Sequence, residues 1–289
     1  MKNGITGKTI VCGVIGNPIE HTLSPTMQNA AFEELGLDYV YVPFKVSNEE
    51  LGQAIKAMKA LNIRGLNVTI PHKVVVMRHL DEVDELAANI GAVNTIVNQD
   101  GYLKGYNTDA LGFLRALTAE GVKPKGKNTV ILGAGGAARA ISFILADKGA
   151  DLTIINRHVE SAEDMAGRIS TLFRKNVTAL KLDEDNLRSA VEEADILVNT
   201  TSVGMSPEVR SSLVPYEMLK KDLVVFDIIY SPLKTQLLAE AGAKGARTIG
   251  GAEMLVWQGA AALEKWTGKE APVAAMRAAL VEALETHEK

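Results

Sequence analysis

Thr129-Val130-Ile131-Leu132-Gly133-Ala134-Gly135-Gly136-Ala137-Ala138 runs from a short apolar strand into a glycine turn. A helical stretch follows, then a second strand, Leu152-Thr153-Ile154-Ile155, which ends in Asn156-Arg157. A glycine run alone says little, but between a strand and a helix it opens a dinucleotide-binding βαβ unit. Gly133 permits the tight turn, Gly135 lets the backbone approach a pyrophosphate, and Ala138 replaces the third glycine at the helix–strand contact. The helix that starts there directs unpaired N–H groups at the phosphates.

The end of the second strand selects the dinucleotide. A carboxylate there accepts hydrogen bonds from a ribose 2′-OH and repels a 2′-phosphate, whereas an arginine clamps the phosphate with paired charge-assisted bonds. The chain has Asn156 and Arg157. This favours NADP, with NAD as the alternative.

Working outward, strand-like and helix-like segments alternate along all 289 residues, which predicts parallel sheets with helices on their faces. Before the glycine unit, strands are expected at 9–15, 39–46, 65–70, 92–98 and 102–106, the last two joined at Asp100-Gly101 as a hairpin. Helices are expected at 24–35, with Ser24 as N-cap and Pro25 in the first turn, at 48–61, and from after Lys73 to about Asn89. A further helix at 109–121, with Asp109 as N-cap, runs into the polar, lysine-rich segment 122–127, near which a domain boundary is expected. After the glycine unit, strands are expected at 196–199, 224–229 and 247–249, and the chain from about Ala252 is helical by pattern. A helix after a complete sheet of this type has little left there to pack on, so the C-terminal helices are expected to return to the first domain.

Composition narrows the function. A net charge of −4 argues against a protein that tracks nucleic-acid phosphates, 47% hydrophobic residues suit a sizeable core, and no apolar run is long enough to span a bilayer. The N-terminal residues lack the apolar core of a secretory leader, and one cysteine, Cys12, expected to be buried in the first strand, fits a reducing compartment; a cytoplasmic location is expected. No Cys/His cluster offers a metal site, and none is expected.

Three loops before the glycine unit follow predicted strands at their carboxyl ends, where open α/β sheets bind ligands. In 16–25, the hydroxyls of Thr22 and Ser24 stand at a helix N-terminus and suit a small carboxylate, although Ser24 also reads as a plain cap. In 67–73, Lys73 follows a strand–proline turn that can present it into a cleft, and His72 is expected to be exposed or capping. In 105–109, Asp109 could hold the Lys73 ammonium and accept a substrate hydroxyl, while Asn94 offers an amide at another strand start.

Together these segments resemble the shikimate dehydrogenase family with its quinate/shikimate relatives. The matching motifs are 17–25, 67–73, Gly91-Ala92-Val93-Asn94-Thr95, 105–109, 133–140, Asn156-Arg157, 199–205, 227–232 and 251–258, in the family's order over nearly the whole chain. The resemblance implies reversible NADPH-dependent reduction of 3-dehydroshikimate to shikimate in aromatic amino-acid biosynthesis. It implies Lys73 and Asp109 as the catalytic pair, Thr22 and Ser24 on the substrate carboxylate, and Thr69, Asn94, Tyr230 and Gln258 in the rest of the pocket. For the cofactor it implies Gly133, Ala134, Gly135, Gly136, Ala137, Asn156, Arg157, His158, Thr200, Ser202 and Gly251. The expected domains are 1–110 plus 252–289 for substrate and catalysis, and 111–251 as a Rossmann-type dinucleotide domain; the assembly is expected to be a monomer or homodimer.

Two departures from the family pattern bear on specificity. Many shikimate-specific members carry serine where this chain has Thr22, and NADP-type members often follow Asn-Arg with Thr and a second arginine, where His158 and Ser161 stand here. With residues 257–269, which resemble the dual quinate/shikimate branch, these make a dual enzyme using NAD or NADP the alternative. A cofactor-binding sensor without catalysis predicts loss of Lys73 or Asp109, and both are present; a folate-type dehydrogenase would need a pterin pocket in place of the small hydroxyl site.

Overall fold

A computed structural model describes residues 4–287; residues 288–289, and residues 1–3 at the head of the stretch read for a leader, lie outside the described residues. In chain order the elements are β1 (Ile10–Gly16), α1 (Ser24–Glu34), β2 (Tyr39–Lys45), α2 (Leu51–Ala60), β3 (Gly65–Val68), β4 (Glu82–Val83), α3 (Glu85–Ile90), β5 (Thr95–Gln99), β6 (Tyr102–Tyr106) and α4 (Thr108–Ala119). There follow β7 (Asn128–Leu132), α5 (Gly136–Asp147), β8 (Asp151–Asn156), α6 (Val159–Phe173), β9 (Thr178–Lys181), α7 (Glu184–Glu193), β10 (Ile196–Asn199), β11 (Val224–Asp227), α8 (Gln236–Ala243) and β12 (Arg247–Ile249), and finally α9 (Gly251–Thr267) and α10 (Val273–His287). Two compact units emerge: residues up to Gly112 with Val256–His287, and Phe113–Leu255. The chain leaves the first within α4 and comes back to it within α9.

The first unit holds a mixed sheet in the order β2-β1-β3-β5-β6-β4. β1 is parallel to both β2 and β3, and the chain then reverses, so that β5 runs antiparallel to β3 and β6 antiparallel to β5. The reversal brings the carboxyl ends of β1, β3 and β6 and the start of β5 to one edge. Asp100 and Gly101 both adopt positive φ (52° and 88°), the primed turn that matches strand twist, as the hairpin expectation required. α10 packs along α1, and from Val256 onward the C-terminal helices return to the first unit, as expected.

Trp266, fully buried on α9, fixes that return. Its indole N–H donates to the Ile96 carbonyl (3.0 Å), its own carbonyl accepts from Arg64 Nε (2.9 Å), and its ring lies on Gly65, where any Cβ would clash.

The acidic stretch after Lys73 is not the continuous helix expected. A 3-10 turn at Val75–His79, the two-residue strand β4 and the short α3 replace it. Asp81 accepts from the Leu103 amide (2.7 Å), β4 pairs with β6, and Asp84 caps α3 by accepting from Leu86 N–H (3.2 Å). The carboxylates here serve as turn acceptors rather than helix surface.

The second unit is a parallel sheet in the order β12-β11-β10-β7-β8-β9, the doubly wound arrangement with its switch point between β7 and β10. α5 buries every residue from Ala140 to Ala146, together with Ala138. β9 was not anticipated: its residues are half-buried or exposed and it forms the sheet edge beside β8, so it lacks an apolar run. β11 ends at Asp227, two residues before the expected limit.

Gly65→Ala is expected to lower the stability of the first unit by roughly 1–3 kcal/mol, because the added methyl must displace a fully packed indole. Urea denaturation checks this; an unchanged midpoint would show that Trp266 yields freely.

Candidate active site

β1 and β3 end side by side, with Thr69 N–H donating to the Ile15 carbonyl (3.0 Å) and Asn17 N–H to that of Ile70 (3.0 Å). The Thr22–Ser24 loop therefore stands next to the loop carrying Thr69 and Lys73. Ser24 is not the helix cap expected: it is already helical, position N-cap falls to Leu23, and the Thr22 hydroxyl accepts from Ser24 N–H (3.3 Å). That leaves the Thr22 hydroxyl proton to donate elsewhere. The Ser24 hydroxyl meets the Tyr41 phenol, which donates to Asn67 Oδ1 at 2.7 Å, and burial holds Tyr41 neutral by raising its pKa well above the usual phenol value.

Lys73 Nζ lies 2.6 Å from Asp109 Oδ2, with the two side chains 28% and 13% exposed. Asp109 Oδ1 accepts from Asn94 Nδ2 at 2.8 Å. Asn94 cannot rotate to the opposite amide orientation, because its Oδ1 accepts from both the backbone N–H (2.7 Å) and the hydroxyl (3.1 Å) of Thr108. Both carboxylate oxygens are thus held, while two of the three Lys73 N–H donors have no partner among the described residues. An ammonium so tethered can bind and protonate an oxygen placed against it.

Two further expectations change here. Asp109 does not cap α4; Asn107 does, accepting from Ala110 N–H (3.1 Å), and Asp109 falls one position inside the first turn with its carboxylate directed to Lys73 and Asn94. His72 is neither exposed nor capping but fully buried, its Nε2 2.8 Å from the Val46 carbonyl. In the turn that follows β3, His72 is buried while its neighbour Lys73 is partly exposed. The Lys73 carbonyl accepts from Val93 N–H (2.8 Å), which ties the turn to the residue before Asn94.

Gln258 is buried on α9, and Gly112, one turn after Asp109, abuts its backbone so closely that a Cβ would not fit. Thr22, Ser24, Thr69, Lys73, Asn94, Asp109 and Gln258 all belong to the first unit; Tyr230 belongs to the second, three residues beyond β11. Thr108 and Asn107 were missed as supports. Their signal was present in the quoted 105–109 motif, as an amide and a hydroxyl flanking a helix start.

In the second unit the glycine turn sits at the switch point. Gly133 has φ +106°, and a side chain there would strike the Thr200 hydroxyl. That hydroxyl donates to the Leu132 carbonyl (2.6 Å), so Thr200 buttresses the turn from β10. α5 begins after Gly135 with no side-chain cap, and Cβ atoms at Gly135 or Gly136 would meet nothing within 4 Å. Uncapped N–H groups facing open space fit a pyrophosphate. Asn156 Nδ2 donates to the His158 carbonyl (2.9 Å), closing the turn on which Arg157 and His158 are exposed, and nothing in that turn is acidic. Ser202 is exposed beyond β10, and Gly251 opens α9 with its N–H donating to the Ile229 carbonyl (3.1 Å). Among the described residues there is no group of three or more His, Cys, Asp or Glu that could hold a metal, and no helix is long and apolar enough to cross a membrane.

Residues 14–96 match the shikimate dehydrogenase substrate binding domain, 116–232 the shikimate / quinate 5-dehydrogenase family, and 251–281 the shikimate 5′-dehydrogenase C-terminal domain. A shikimate dehydrogenase (NADP(+)) from Dehalococcoides mccartyi strain CBDB1 is 47% identical over 277 residues, 96% of this chain and 97% of that protein. A crystal structure of a shikimate dehydrogenase in complex with NADP+ is 46% identical with a TM-score of 0.93, covering 97% of this chain and 98% of the other. Shikimate 5-dehydrogenase from Listeria monocytogenes, in complex with shikimate and NAD, gives 42% and 0.91 over 96% and 98% of the two chains. With sequence and fold agreeing over nearly its full length, the chain belongs to the shikimate dehydrogenase family.

Proposed function

We propose that this chain catalyses the reversible NADPH-dependent reduction of 3-dehydroshikimate to shikimate, with Lys73 and Asp109 as its catalytic pair. The observation that carries this reading is the tethered ammonium: Lys73 bound at 2.6 Å by an aspartate whose second oxygen is held by Asn94. The bound nicotinamide supplies the hydride. Negative charge then grows on the substrate carbonyl oxygen, and the free N–H donors of Lys73 stabilise it and deliver the proton. Asp109 keeps the ammonium aimed and accepts a neighbouring substrate hydroxyl. In the reverse direction the pair takes the proton back.

The Thr22 and Ser24 hydroxyls receive the substrate carboxylate, supported by the positive end of α1. Thr69, whose hydroxyl has no partner among the described residues, Asn94 and Gln258 are the further substrate-binding residues of the first unit, and Tyr230 is that of the second. On the nucleotide side the backbone of 133–137 takes the pyrophosphate, and Thr200, Ser202 and Gly251 are further cofactor-binding residues. Asn156, Arg157 and His158 take the adenosine ribose and its 2′-phosphate. A buried, unpaired Cys12, whose thiol burial pushes up to about 12, suits a reducing cytoplasm. The assembly is a monomer or homodimer, which light scattering reads directly.

Initial rates with shikimate and quinate, each with NADP and NAD, are expected to be dominated by shikimate with NADP; comparable quinate or NAD rates would move the protein to the dual branch. Lys73→Ala should lower kcat by about 10²–10⁴-fold while nucleotide affinity stays within about twofold, since general acid–base groups contribute on that scale. Near-normal turnover would remove Lys73 from the mechanism. Arg157→Ala should raise KM for NADP far more than for NAD, and equal changes would dismiss the 2′-phosphate clamp.

A further inference from the structure

Asp227 is a fully buried carboxylate with no part in the chemistry above. It ends β11, and burial raises its pKa against the pull of the hydrogen bonds it accepts. Its Oδ1 accepts from Asn199 Nδ2 (3.1 Å) and from the backbone N–H of Ile229 (3.1 Å); its Oδ2 accepts from the Thr235 hydroxyl (2.7 Å). Each donor controls a different stretch of chain. Asn199 ends β10, and its Oδ1 accepts from both the N–H (3.1 Å) and the hydroxyl (2.7 Å) of Thr201, shaping the turn between Thr200 and Ser202. Ile229 immediately precedes Tyr230. Thr235 caps α8 by accepting from Leu238 N–H (3.3 Å), closing the loop that carries Tyr230.

We propose that Asp227 is a positioning residue for ligand binding: its carboxylate is the shared acceptor that holds the loop after β10, with Thr200 and Ser202, in fixed register with the loop after β11, with Tyr230. The proposal rests on the reading that those three residues meet cofactor and substrate. Two main-chain bonds also join the loops, Ile228 N–H to the Asn199 carbonyl (3.1 Å) and Ser206 N–H to that of Ser231 (3.1 Å), but Asp227 alone bonds side chains of both. Removing the carboxylate leaves the Ile229 N–H and the Thr235 hydroxyl without an acceptor and Asn199 Nδ2 with only its long bond to the Val203 carbonyl (3.4 Å), a state the loops can relieve only by shifting.

Donor counting separates this role from a requirement for charge. In Asp227→Asn the amide oxygen can still accept from Asn199 and Ile229, and the Thr235 hydroxyl can turn to accept from the new NH2 group, so all three links persist although the Thr235 proton loses its acceptor. Asparagine therefore keeps the register, and alanine does not.

The experiment compares wild type, Asp227→Asn and Asp227→Ala in steady-state kinetics with shikimate and NADP. Alanine is expected to raise both KM values about tenfold with a smaller change in kcat, because Lys73 and Asp109 stand in the other unit, while asparagine stays within about threefold of wild type. Wild-type KM values in the alanine variant, or equal damage from asparagine and alanine, overturn the proposal. Should Asp227→Ala lose its cooperative thermal transition, Asp227→Asn/Thr235→Val is compared with Thr235→Val alone. The double variant strands the NH2 group, so its KM values should rise above those of either single variant, and unchanged values refute the clamp. Should wild type itself not turn over shikimate, the function is wrong and the clamp is read by amide exchange at Thr201, Val203 and Ile229. Faster exchange in Asp227→Ala but not Asp227→Asn supports it, and identical exchange in all three removes it.

Discussion

Asn94 spends every polar group it has on joining one edge of a sheet. Its backbone N–H donates to the Tyr106 carbonyl (3.0 Å), and its carbonyl accepts from Val68 N–H (2.8 Å) and Asn67 Nδ2 (3.2 Å). Its side-chain oxygen accepts from Thr108, and its side-chain NH2 donates to Asp109. One residue thereby sets the end of β3, the start of β5, the end of β6 and the first turn of α4. The antiparallel reversal of the sheet makes this meeting geometrically available, and the locked amide orientation makes Asp109 an acceptor aimed at Lys73 rather than a solvated carboxylate. Asparagine's ability to donate and accept from one short side chain is the constraint; neither leucine nor aspartate could serve both sides.

The two units recognise their ligands by different means. In the second, the seat proposed for the pyrophosphate consists of main-chain N–H groups and the space left by Gly135 and Gly136, so the sequence contributes chiefly by withholding side chains. In the first, hydroxyls, an amide, an ammonium and a carboxylate must each reach a defined point, and they come from loops far apart in the chain. Under the proposed assignments, substrate choice is exposed to single substitutions such as a different hydroxyl at Thr22, whereas cofactor binding tolerates change outside the glycines and the Arg157 turn.

This difference also governs what could be read from the sequence. The glycine turn and the Asp100-Gly101 hairpin were legible because local backbone chemistry dictates them, and the continuous apolar strands β7 and β10 because both their faces are covered. Caps were assigned one residue off at Ser24 and two off at Asp109, since at each helix start several neighbouring side chains have capping chemistry and the sequence does not show which of them is already helical. The stretch after Lys73 read as a helix because its carboxylates look like a solvated face; their acceptors' partners, such as Leu103 N–H, are remote in sequence. The burial of His72 and the exposed edge strand β9 left no periodicity to follow.

The indole of Trp266 lying on Gly65 has a consequence for biosynthesis. The sheet of the first unit is composed within the first 106 residues, yet the side chain that covers its centre is made some 160 residues later, after the entire nucleotide-binding unit. On the ribosome, the nascent N-terminal segment must wait with an uncovered apolar face while the inserted unit, which is continuous in sequence, folds ahead of it. The substrate-binding unit can thus be completed only after the nucleotide-binding unit has been made in full.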